Sequence, residues 1–223
     1  MRVLVVLLAL LAGAALAVPA ALADPTDPQK RFTPADQKLA RGIVVTQTDL
    51  PGTGWKGSRS PSSSDPSLSC AGFQPDLSDL VETGRAEGLD LERADGLYVT
   101  STTGVFKTPA MAKAAFTRVA APGLAGCLRS IFTEALASQP GLDVKQVTRR
   151  PSPVPRVTPL TRGYRLEVMI AAAGQTVKSV LDVVLLGRDR ANVALLAVGI
   201  GKPFPTASLG ALARAVASRM ATT

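Results

Sequence analysis

Hydrophobic positions recur with a helical period in four stretches of the chain and with a strand period in most of the rest. Thr33-Pro34 reads as an N-cap followed by proline at the first helical position, and the helix it opens extends to about Val45, burying Leu39, Ile43 and Val44. Thr48 to Trp55 is turn-rich, Ser58 to Ser69 is a serine- and proline-rich loop, and a short helix is predicted over Asp76–Glu82. Alternation then predicts strands near Arg85–Arg93 and Leu97–Phe106, joined by an Ala94-Asp95-Gly96 hairpin turn. Thr108-Pro109 repeats the cap-plus-proline signature, and Pro122-Gly123 separates that helix from a second over Leu124–Ser138. Cys127 borders the apolar stripe of this second helix.

Beyond residue 141 the period is mostly two. Strands are predicted over Leu142–Arg149, Arg162–Ala171, Thr176–Leu186 and Asn192–Ile200. Folding back at Ala173-Gly174 sets Leu166 opposite Leu181 and Arg165 opposite Asp182, so apolar meets apolar and charge meets counter-charge. A closing helix after Pro205 buries Leu209, Leu212, Val216 and Met220. Consecutive strands with short turns imply an antiparallel meander packed against helices on at least one face. The predicted fold class is α+β, a single domain over residues 33–221 preceded by a flexible lead over 24–32.

The first 23 residues carry a different pattern. Arg2 precedes an apolar run from Val3 to Val18, and Ala21-Leu22-Ala23 offers small residues ahead of a polar Asp24. This is the pattern of a secretory signal peptide cut between Ala23 and Asp24. Pro19 and the small-residue site weigh against retention as a membrane anchor, and no cysteine follows the run to carry a lipid. The expected location is secreted, extracellular or cell-envelope, with no stable membrane anchor after cleavage. In an oxidising compartment Cys70 and Cys127 most simply form one disulfide, closing 56 intervening residues. Such closure contributes about 3–4 kcal/mol in the chain-entropy model. A redox-active pair is the alternative, but the close C-x-x-C spacing it uses is missing.

Composition narrows the chemistry. The 223 residues include no histidine and only two cysteines, which excludes histidine-based triads, imidazole zinc sites and four-thiolate clusters. No metal and no cofactor is expected. Nucleophile elbows, S-x-x-K, Walker A and H-E-x-x-H motifs are missing, and a non-catalytic protein is expected. Gly199-Ile200-Gly201-Lys202 is a fragment of a phosphate loop in which Pro203 replaces the Ser/Thr. Charge is uneven, with 12 basic and 14 acidic residues over 24–143 but 12 basic and 3 acidic over 144–223. Arg149, Arg150, Arg156, Arg162 and Arg165 are the densest basic run, readable as an anion-binding patch or as a solvated surface. Nucleic acid is not an expected partner, since no recognition motif accompanies the charge. Asp49 and Trp55 form the most distinctive pair. Either Trp55 lines a cleft where Asp49 fixes a ligand group, or Asp49 caps a turn and Trp55 plugs the core. Asp76/Asp79 and Asp90/Glu92 read as carboxylate pairs or as solvated faces.

Three features together carry a resemblance: the T-D-L-P-x-x-x-W stretch at Thr48–Trp55 after a helix, a cysteine shortly beyond it with another in the mid-chain helical region, and a meander followed by Pro203-Phe204-Pro205 and an alanine-rich helix. This arrangement resembles the exported sensor-domain proteins of actinobacteria. These are similar to the extracellular domain of PknH-type receptor kinases and to envelope lipoproteins with a PsbP-like fold. The chain departs from them in having one possible disulfide rather than two and no lipid-bearing cysteine. The resemblance implies a ligand-binding or sensing module taking a small or lipidic ligand. The alternative is an envelope interaction protein whose basic half engages anionic polymers or partner proteins.

Overall fold

The computed structural model describes residues 25–59, 70–139, 141–172 and 174–221. The predicted signal peptide over 1–23 and its Ala23–Asp24 cleavage point lie outside the described residues.

Helix α1 (Pro34–Ile43) starts where the pattern predicts, with the Thr33 hydroxyl accepting from the Asp36 amide at 3.1 Å. After a single 3-10 turn at Gln47–Asp49 come β2 (Trp55–Ser58), β3 (Val81–Glu87), β4 (Asp90–Arg93) and β5 (Leu97–Phe106). Helices α2 (Pro109–Val119) and α3 (Leu124–Ala137) follow. The chain then runs through β6 (Leu142–Pro151), β7 (Leu160–Ala172), β8 (Gln175–Arg188) and β9 (Ala191–Ile200), and ends in α4 (Thr206–Met220). The predicted register of β7 on β8 is the observed one: Leu166 pairs Leu181 and Arg165 pairs Asp182.

Four differences from the sequence expectation have physical causes. Residues 24–32 were expected as a flexible lead, but Gln29–Lys30 forms a short strand, β1, parallel to β3. The Gln29 and Arg31 amides donate to the Leu80 and Glu82 carbonyls, which gives this polar segment partners the sequence does not reveal. The helix expected over Asp76–Glu82 is a turn leading into β3. The Asp76 carboxylate accepts from both the amide and the hydroxyl of Ser78, a local bond that competes with helix. The strand expected over Arg85–Arg93 breaks at Gly88-Leu89 into β3 and β4, both pairing the same side of β5. Finally, the antiparallel meander is extended into one sheet in the order β1-β3-β5-β9-β8-β7-β6, because β9 pairs antiparallel along nearly the whole of β5, and the parallel β1 on β3 makes that sheet mixed. The β4–β5 hairpin does form at Ala94-Asp95-Gly96, where Gly96 takes a positive φ of 85°.

Helices cover both faces of this sheet. Alternation along β5 sends Val99, Ser101, Thr103 and Val105 to one face and Thr100, Thr102, Gly104 and Phe106 to the other. The first face carries α1 and α4, whose Ile43, Leu209, Leu212, Val216 and Met220 pack on Leu97, Val99, Leu195 and Ala197. The second carries α2 and α3, with Phe116, Leu124 and Leu128 against Leu166, Leu181 and Leu185. Cys70 and Cys127 are joined in a disulfide, which ties the segment around Phe73 to the first turns of α3.

Candidate ligand-binding cavity

The second face is incompletely filled. Between the sheet and α2/α3 lies a cavity of about 450 Å³, within the ordinary range for small-molecule sites. Its floor is Thr100 and Thr102 of β5 with Ala194 and Leu196 of β9, and its roof is Phe116, Leu128, Ile131 and Phe132. Floor residues and Ile131 and Phe132 are all half-buried, although their strand neighbours Val99 and Leu195 on the first face are fully buried. The α3 helix makes its main sheet contacts with β6, so its apolar stripe overhangs β5 and β9 without closing on them. Neutral polar residues on the walls include Thr26, Thr100, Ser101, Thr102 and Asn192, whose amide nitrogen donates to the Ala112 carbonyl at 2.8 Å. The Asn192 Oδ1 is buried without a hydrogen-bond partner among the described residues.

One end of the cavity is charged. Glu82 of β3, 1% exposed, accepts from Arg85 Nη1 at 3.2 Å, and both side chains line the cavity together with Asp27. Gly104 makes room for this pair, since a β-carbon there would lie 2.7 Å from Glu82 Oε1. A carboxylate buried to this degree is retained only with charge and hydrogen-bond partners. The cavity therefore presents an apolar trough with a polar terminus. Among the described residues no group of three or more His, Cys, Asp or Glu side chains is placed to hold a metal.

Asp49 and Trp55 stand on the opposite side of the sheet and do not line this cavity. Asp49 accepts from the Thr46 amide at 2.8 Å and from both terminal nitrogens of Arg219 at 2.8 and 3.0 Å. Burial would raise its pKa, but the hydrogen bonds and charge of Arg219 and the Thr46 amide outweigh this and hold it below the usual range. Arg219 also donates to the Ile43 and Val44 carbonyls, so it caps α1 from α4. Trp55, 5% exposed, packs on Phe204 at 6.2 Å between ring centroids, donates its indole N–H to the Pro51 carbonyl and lies 5.0 Å under the Arg93 guanidinium. Both residues knit the α1–α4 layer together.

The arginine run is divided between the two faces. Arg165 makes a two-pronged ion pair with fully buried Asp182 at 2.8 and 2.7 Å, which raises the Arg165 pKa. Arg150 lies 3.6 Å from Glu167, and Arg156 donates to the Pro159 carbonyl. Glu167 also pairs with Lys178 at 3.1 Å, and these contacts lower its pKa. Arg149 and Arg162 share the other face with Tyr164, and neither has a carboxylate at ion-pair distance among the described residues. Of the acidic pairs, Asp79 is bound by Arg118 and Asp90 accepts from the Tyr98 hydroxyl at 2.7 Å. Burial, then that hydrogen bond, pushes the Tyr98 pKa up. Lys202 of the phosphate-loop fragment pairs with Asp95, helping hold that carboxyl well below its usual range together with Arg93.

Sequence reasoning did not single out Glu82, Arg85, Thr100, Thr102 or Asn192. For the two threonines a signal lies in β5, where Thr100, Thr102 and Gly104 follow one another on one face between Tyr98 and Phe106. A strand inside a sheet with a polar, small-residue face marks a surface that helices do not seal.

No family model and no curated protein matches this chain. Among solved structures, the extracellular domain of PknH from Mycobacterium tuberculosis is similar at a TM-score of 0.46 and 10% identity, over 86% of this chain and 100% of that one.

Proposed function

We propose that this protein is an exported, non-catalytic binding module that holds a small apolar or lipidic ligand between the sheet and α2/α3. The observation that carries the reading is the trough itself: half-buried Leu196, Ile131 and Phe132 facing one another across a space of about 450 Å³. Exposed apolar surface in a concave site is costly unless something occupies it. The disulfide supports an oxidising compartment outside the cytoplasm. The alternative, an anionic polymer or protein partner on the basic half, draws less support because three of the five clustered arginines are engaged within the fold.

The test is binding of N-phenyl-1-naphthylamine, a neutral probe that fluoresces in apolar sites, to the disulfide-intact protein. Saturable one-to-one binding is expected, lost in Ala194→Phe and in Leu196→Trp, which fill the floor, while both variants keep the wild-type far-ultraviolet circular dichroism. No saturable binding to the wild type, or full binding to both folded variants, overturns the reading.

A further inference from the structure

We propose that the cavity selects an uncharged single-chain amphiphile, one with a hydroxyl or ester head group, through the Glu82–Arg85 pair at its polar end. This rests on the reading of the cavity as a ligand site and names the ligand class it takes.

Three observations converge. First, the ion pair is built into the cavity wall: Glu82 is 1% exposed, Arg85 Nη1 is 3.2 Å from its Oε1, and Gly104 leaves the space that the carboxylate occupies. Second, the charges of Glu82 and Arg85 cancel, and the remaining charged residue lining the cavity is acidic, Asp27. Third, every other polar group on the walls near the trough is neutral, the Thr100 and Thr102 hydroxyls being carried on the floor itself.

The Glu82–Arg85 pair at the end of an apolar trough offers a donor and an acceptor whose own charges cancel, and Asp27 adds one negative charge beside it. A hydroxyl or ester can hydrogen-bond to it and leave the pair intact. An anionic head group would sit beside Glu82 and Asp27, and like charges held in a desolvated site repel strongly. A cationic head group would meet the like charge of the Arg85 guanidinium at the same terminus, and separating Arg85 from the buried Glu82 carboxylate costs more than the contact it replaces. The trough accommodates an alkyl chain against Leu128, Ile131, Phe132 and Leu196, where burial of each methylene adds affinity. The chain thus supplies affinity and the ion pair supplies discrimination between head groups.

Three probes sharing one alkyl chain separate these effects: monolauroylglycerol, laurate and lauryltrimethylammonium, titrated calorimetrically below their micelle concentrations. The wild type is expected to bind the glycerol ester at least tenfold tighter than either ion. Glu82→Gln leaves Arg85 without its carboxylate partner and is expected to improve laurate at least tenfold relative to the ester. Arg85→Gln is expected to shift preference toward the cation, and provides the same readout should the Glu82 variant fail to fold. Equal wild-type affinity for all three probes, or an unchanged ranking in the folded variants, overturns the selection by charge. If none of the three binds while N-phenyl-1-naphthylamine does, the ligand class is wrong and the cavity reading survives. If neither the probes nor the fluorophore binds, the cavity reading itself falls.

Discussion

The two faces of one sheet are built from the same strands and do different work. On the α1/α4 face, Leu97, Val99, Leu195, Ala197, Leu209 and Leu212 are at most 1% exposed and form a continuous core. On the α2/α3 face, alternate residues of the same strands are Thr100, Thr102, Ala194 and Leu196, all half-buried over a cavity. The difference follows from how each helix layer is tied down. Arg219 links α4 to the C-terminal carbonyls of α1 and to Asp49, and Arg190 links the β8–β9 turn to Asp36 at 2.6 Å. The α3 layer is anchored at its N-terminal end by a disulfide and packs chiefly on β6. Both faces carry buried cores, but only the first is sealed along β5 and β9.

The comparison is broken most severely by truncating the closed face. Leu195→Ala should cost about 3–5 kcal/mol in urea unfolding, the range for a fully buried leucine, whereas Leu196→Ala one residue away should cost well under half as much. Equal losses would mean that the two faces are packed alike. Next comes removal of the disulfide by Cys70→Ser with Cys127→Ser, which should cost about 3–4 kcal/mol if its action is entropic. Hydrogen exchange should then show α3 amides losing protection before those of α4, and simultaneous loss would contradict the separate anchoring of the layers.

Arg219→Ala should lower stability by about 2 kcal/mol, since it leaves a partly buried Asp49 and two α1 carbonyls without their donor. Arg219→Lys should recover only part, because one ammonium cannot span those acceptors. Acid should weaken the same layer. Asp49 and Asp36 have folded pKa values below their ordinary 3.8, so their contribution is complete above the unfolded value and is lost as pH falls below 3.8 through the folded values. Arg219→Ala should flatten the acid limb of the stability profile, and an unchanged limb would remove Asp49 from the account. The smallest stability effect is expected for Ala194→Phe, within about 1 kcal/mol of wild type, since the ring enters existing space.

Much of the architecture was legible in residue pattern. The cap-plus-proline pairs at Thr33-Pro34 and Thr108-Pro109 mark both helix starts, and the β7–β8 register follows from matching Leu166 to Leu181 and Arg165 to Asp182. Asp49 and Trp55 are the most distinctive pair in the sequence, but their type alone leaves both ligand contact and core packing open. Glu82 was hidden because Asp76–Glu82 has the local composition of a helix, and only pairing with β5 makes it a strand residue.

What the chain determines by itself is local: helix caps, hairpin turns, the alternation that gives each strand two distinct faces, and a cysteine pair with one possible partner each. These depend on residues a few positions apart, or on elimination, and can be read without coordinates. The tertiary structure decided the rest. Pairing of β9 with β5 joins residues about a hundred positions apart and thereby assembles Thr102 beside Ala194, and the β3 edge then brings Glu82 and Arg85 to the same cavity. No local propensity encodes such a meeting. It arises because long-range strand pairing and the limited reach of α3 together leave apolar and charged groups around a space that the chain itself does not fill.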